Sequence, residues 1–192
     1  MICSRAALLA CAPVLACGAV LAGGAVLAGG AVVACGAGEA RLESGVYRDG
    51  AVAFRLGEVP SEWRAMHVDR ATLAYRDEAQ RASILLDARC HRKDDDVPLV
   101  ALTDHLMMGT TERAIDSQET VPFDGREAMH TRMRAKLDGV PMDYDVFVTK
   151  KDGCIYDFVY VAEPAAKDAG GAGTPAFERF VSTFHALAGS SP

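Results

Sequence analysis

Hydrophobic and polar positions follow three different rhythms along the chain. Residues 6–34 form an uncharged run dominated by Ala, Val, Leu and Gly. Between about residue 45 and residue 162, apolar residues occur in short alternating or continuous runs, the spacing of β-strands. Near the C-terminus they recur every three or four residues, the spacing of a helix. The strand-like runs are Gly45–Arg48, Ala51–Leu56, Thr72–Tyr75, Ser83–Arg89, Thr111–Pro122, Arg126–Leu137, Val140–Lys150 and Cys154–Ala162. Four Asp-Gly dipeptides punctuate them, at Asp49-Gly50, Asp124-Gly125, Asp138-Gly139 and Asp152-Gly153. Asp-Gly favours the type I′ turn, whose twist matches that of a hairpin.

The hairpin around Asp138-Gly139 predicts its own register. With those two residues as the loop, Met133 faces Tyr144, Thr131 faces Val146 and Met129 faces Val148. On the other face Arg134 meets Asp143 and Arg132 meets Asp145. Apolar residues then gather on one side and opposite charges pair on the other. The stripe Arg132, Arg134, Lys136 could be taken for an anion site, and Asp143 with Asp145 for a carboxylate pair. Cross-strand ion pairing on a solvated face accounts for both. In the next hairpin Val159 and Val161 join the face of Tyr144 and Val146, while Tyr156, Phe158 and Tyr160 join Phe147. Cys154–Ala162 is thus apolar on both faces, which predicts cover on both sides.

Two helices are expected. The first follows Asp94-Asp95-Asp96, with Pro98 in its first turn, Leu99, Leu102 and Leu106 as its buried stripe and Gly109 as its stop. The acidic triplet, with His91, could suggest metal ligands. N-capping and the helix dipole explain it more simply. The second helix starts at Thr174-Pro175, presents Phe177, Phe180, Val181, Phe184 and Leu187, and ends at Gly189. The Ala- and Gly-rich segment 165–173 reads as a loop.

The N-terminal rhythm is an address. Arg5 precedes the apolar run as in a secretory signal peptide, and residues 19–24 repeat as residues 25–30 (Ala-Val-Leu-Ala-Gly-Gly). A permanent membrane helix is the alternative, since about 20 apolar residues span a bilayer, but the many glycines weaken it. Val32-Val33-Ala34-Cys35 resembles the lipobox of bacterial lipoproteins. That resemblance implies cleavage before Cys35 and acylation of its thiol and amine, enough chains for stable anchoring. Cys11 and Cys17 end rival boxes, but polar chain begins only after Cys35. The expected organisation is therefore a signal peptide over 1–34, a lipid-anchored tether over 35–44 and one domain over 45–189.

Composition narrows the function. The chain has 192 residues and a formal net charge of −6. Removing residues 1–34, whose sole charge is Arg5, makes it more acidic. Nucleic-acid binding needs clustered Lys and Arg and is not expected. Of six cysteines, only Cys90 and Cys154 fall within the domain. In an oxidising compartment an even pair suggests a disulfide; buried thiols or metal ligation are the alternatives, and no CxxC or nearby His spacing favours a metal. The five histidines (His67, His91, His105, His130, His185) lack HExxH spacing, and GxSxG, Walker A and GxGxxG are absent. No catalytic residue, cofactor or metal is expected. The one candidate partner surface is the aromatic face Phe147, Tyr156, Phe158 and Tyr160: core if a helix covers it, an exposed apolar patch if not.

Phe54-Arg-Leu followed by Pro60-Ser-Glu-Trp63, and the ending Phe177-Glu-Arg-Phe180-Val-Ser-Thr-Phe184, resemble the opening and closing of PsbP-like domains. That superfamily includes the photosystem II extrinsic subunit, a Ran-binding nuclear protein and bacterial DcrB-type lipoproteins. The resemblance implies an α+β fold, an antiparallel meander between helices in an α/β/α sandwich. A cystatin-like α+β domain is the alternative. Members bind different partners and are generally not catalysts, so the expectation is a non-catalytic accessory lipoprotein of the cell envelope. It would hold a membrane through its lipid, and an envelope protein complex could be its partner. A small-ligand carrier and an anchored hydrolase or metal-dependent enzyme are the competing classes.

Overall fold

The computed structural model describes residues 41–90, 96–164 and 174–188, all within the unit Gly38–Pro192. Short strands come first: β1 (Arg41–Glu43), β2 (Val46–Asp49), β3 (Val52–Arg55), β4 (Arg64–Ala65), β5 (Leu73–Asp77) and β6 (Ala82–Cys90). Helix α1 (Leu99–Leu106) leads into four long strands: β7 (Thr110–Phe123), β8 (Arg126–Leu137), β9 (Val140–Lys151) and β10 (Cys154–Ala162). Helix α2 (Thr174–Ser182) and a two-residue strand, β11 (His185–Ala186), close the fold.

Hairpin chemistry sets the topology. Asp124-Gly125, Asp138-Gly139 and Asp152-Gly153 each form a two-residue loop with both residues at positive φ, as a type I′ turn requires. At the fourth dipeptide the loop lies one residue later. Asp49 still pairs with Val52, so Gly50 and Ala51 make the turn, and only Gly50 has positive φ. Among the described residues all strand pairings are antiparallel. Seven strands lie in the order β4-β5-β6-β10-β9-β8-β7, and four in the order β1-β2-β3-β11. The β8–β9 register pairs Met133 with Tyr144 and Arg132 with Asp145, as hydrophobic and charge matching predict.

Both faces of the large sheet are covered, which accounts for the two-sided apolar character of β10. On one face Leu102 of α1 and Met107, just after it, pack against Met133, Val146, Val148 and Ile155. On the other, Phe177, Phe180 and Val181 of α2, with Phe184 and the small sheet's Phe54, pack on Tyr156 and Phe158. Trp63, only 4% exposed, closes a turn in which its amide donates to the Pro60 carbonyl at 3.0 Å. Its ring lies 6.4 Å from that of Tyr160. Among the described residues no helix is long and apolar enough to cross a membrane.

Other expectations also need correction. The tether does not run to residue 44: Arg41–Glu43 pair with β2 through a Ser44-Gly45 turn with both φ values positive. Helix α1 takes Pro98 as N-cap, with no side-chain cap bond and no acidic residue in its first turn. Asp96 therefore does not cap it, and Asp94 and Asp95 lie outside the described residues. Helix α2 stops at Ser182, before Phe184 and Leu187, because the chain turns to add β11 to β3. Gly189 lies outside the described residues. The listing of the aromatic face as a candidate partner surface needs correction as well and is taken up below.

Candidate functional site

Alternation along β6 and β10 places Leu85, Asp87 and Arg89, and Ile155, Asp157 and Val159, on the α1 side of the sheet. Asp157 lies directly opposite Asp87. Two like charges at such positions repel, and Arg89, two residues along β6, answers both. Its Nη1 donates to Asp87 Oδ2 at 2.9 Å and to Asp157 Oδ2. Asp157 is 1% exposed, and its Oδ1 has no hydrogen-bond partner among the described residues. Burial pushes its carboxyl above the usual carboxylate range, against the pull of Arg89. The Arg89 guanidinium is itself held above its ordinary value: burial lowers it, but bonds to Asp157 and Asp87 outweigh burial.

This cluster forms the inner wall of a cleft of about 470 Å³ between the sheet, the end of α1 and the 68–71 loop. Leu85, Val159, Leu106 and Met108 supply apolar walls, and His105 and Asp69 stand at the rim. A volume of this order fits a small organic molecule. The site is not apparent in the sequence because Cys154–Ala162 has the pattern of an apolar strand. Asp157, the one charge in that strand, is the signal that marks it.

The aromatic face is not a surface. Tyr156, Phe158 and Tyr160 are 1%, 0% and 7% exposed. The Tyr160 and Phe147 rings lie 5.8 and 6.0 Å from Phe177 of α2. The Tyr156 and Phe158 rings each lie 4.9 Å from Phe184. His130 stacks on Phe147 at 3.9 Å, its Nε2 2.7 Å from Asp145 Oδ1.

The charged stripe keeps one of its two predicted pairs, and on a buried partner. Arg132 reaches Asp145 at 3.2 Å, but Asp145 is buried rather than solvated. Arg134 turns to Asp116 of β7, with bonds of 2.8 and 3.2 Å, and Lys136 to Glu112 at 2.7 Å. Hydrogen bonding from Arg134 holds the Asp116 carboxyl below its usual range. Burial raises that of Asp143, with Asp116 adding to the shift and Arg134 opposing it.

Cys90 and Cys154 are bonded as a disulfide, opposite each other in the β6–β10 register. His67 is exposed beside Asp69 at 3.4 Å. Cys35 and His91 lie outside the described residues. Among the described residues no group of three or more His, Cys, Asp or Glu side chains could hold a metal ion.

No protein-family model and no curated protein matches the sequence. Solved structures do match the fold. The cyanobacterial PsbP (CyanoP) of Synechocystis sp. PCC 6803 superposes with a TM-score of 0.53 at 15% identity, over 74% of this chain and 91% of that one. LpqN of Mycobacterium tuberculosis, described as involved in cell envelope biogenesis, gives 0.47 at 14% identity, over 72% and 85%. An antiparallel sheet with a helix on each face, superposing on nearly all of CyanoP, identifies the fold as the PsbP-like α+β fold.

Proposed function

We propose that the chain is a lipid-anchored binding module of the cell envelope, non-catalytic and accessory to other envelope components. The observation that carries this reading is the place of Val32-Val33-Ala34-Cys35: it ends the uncharged run, directly before the polar chain that leads into the domain. The disulfide between Cys90 and Cys154 supports an oxidising compartment. The partners on this reading are the membrane, through lipid on Cys35, and an envelope protein complex, with no nucleic acid. Labelled palmitate tests the anchor. The full chain is expected to take up label and fractionate with membranes, and Cys35→Ala to lose both. Equal labelling of the two refutes lipidation at Cys35.

A second reading, small-ligand carrier, is favoured by the cleft beside α1. Its inner wall holds a buried carboxylate oxygen with no hydrogen-bond partner among the described residues. Such a group is costly unless something bonds to it.

A further inference from the structure

We propose that the cleft between α1 and the sheet takes a small organic cation, a protonated amine on an apolar body. The inference rests on the carrier reading and names the ligand class. Its inner end holds two carboxylates, Asp87 and Asp157, and one guanidinium, Arg89, that donates to both. With both carboxylates ionised, one negative charge is left over at a site where Asp157 is 1% exposed.

Among the described residues, the unpartnered hydrogen-bonding position there is an acceptor, the buried Asp157 Oδ1. A ligand that donates completes it, and a ligand that also carries positive charge cancels the excess. An anionic ligand would meet two carboxylates and an arginine already shared between them. A neutral hydroxyl could complete the hydrogen bond but would leave the charge uncompensated in a site of low dielectric. The remaining charges do not reverse this preference. Asp69 adds to the negative side, and Arg70 is exposed at the rim, where water screens it. His105 of α1 is likewise exposed.

The body of the ligand follows from the walls. Leu85, Val159, Leu106 and Met108 offer carbon surface in a cleft of about 470 Å³. That is far larger than a bare ion needs and suits an aryl or short alkyl group.

Equilibrium dialysis of the full chain in detergent tests this with three matched probes: phenethylamine, phenylacetate and 2-phenylethanol. Chain-free micelles correct for partitioning. Phenethylamine is expected to bind saturably and at least tenfold more tightly than either of the other two. Asp157→Asn should weaken it at least tenfold. Should that variant fail to fold, Ala71→Trp, which fills the cleft from its outer loop, should abolish binding with an unchanged circular dichroism spectrum. Phenylacetate or 2-phenylethanol bound as tightly as the amine overturns the cation assignment and leaves the carrier reading standing. Amine binding that is untouched in a folded variant places it elsewhere and overturns the proposal. No saturable binding of any probe overturns the proposal and the carrier reading together.

Discussion

Two aspartates show how the same side chain takes opposite roles. Asp124 sits in the β7–β8 turn, and burial alone would raise its pKa. Bonds from Lys151 Nζ at 2.8 Å, His185 Nδ1 at 3.0 Å and the Ala186 amide at 2.9 Å outweigh burial and hold it below the usual range. Its folded form therefore favours the charged state. The stability it contributes is present above the ordinary Asp range and lost as pH falls through its lowered value. Asp157 has the opposite sign. Its pKa is raised by burial, so the folded state holds the proton more tightly, and that contribution is lost as pH rises through the raised value. Urea unfolding between pH 7 and pH 3 should show a shallower acid-side loss of stability for Asp124→Asn than for the unaltered chain. Asp157→Asn should lose least, relative to the unaltered chain, at the upper end of that range. Parallel curves for all three chains would contradict both assignments. Neither role was legible in the sequence. Asp124 reads as a turn residue because its partner His185 is 61 residues away, and Asp157 is one charge among apolar neighbours.

At the scale of elements, local and non-local signals divide cleanly. The hairpins around Asp124-Gly125, Asp138-Gly139 and Asp152-Gly153 could be read because turn chemistry, hydrophobic alternation and cross-strand charge all choose the same register. The end of α2 could not. Phe184 keeps the helical spacing of Phe177 and Phe180, yet Asp124 and β3 draw His185 and Ala186 into a strand. Thr183 makes the turn possible: its Oγ1 donates to the Arg179 carbonyl at 3.0 Å and accepts the Gly57 amide at 3.1 Å. Gly57 is required by that approach, since a Cβ there would lie 2.8 Å from the Thr183 side chain. Gly57→Ala is expected to cost about 1–3 kcal/mol, the usual range for overpacking, measured by chemical denaturation. A change below about 0.5 kcal/mol would show that the β3–α2 junction yields freely.

Over the whole molecule, the disulfide closes a loop of sequence separation 64 that contains α1 and the β7–β9 meander. Chain entropy for such a loop is worth about 4 kcal/mol. Reduction should lower the denaturation midpoint accordingly; an unchanged midpoint would mean that the strands alone hold β6 to β10. The α/β/α arrangement was legible because β10 carries apolar residues on both faces and two amphipathic helices are available to cover them. The cleft was not, because it forms where β6, β10, α1 and the 68–71 loop converge. The acidity that argues against nucleic acid has a second consequence in that cleft, where two aspartates share one arginine.

On the proposed function, this domain works from a lipid anchor in the cell envelope. Mass spectrometry of the intact N-terminus of the chain isolated from membranes is the decisive measurement. The expected species begins at Cys35 and carries the mass of a thiol-linked diacylglyceryl group. A chain that retains residues 1–34, or one cut elsewhere with an unmodified N-terminus, would contradict it.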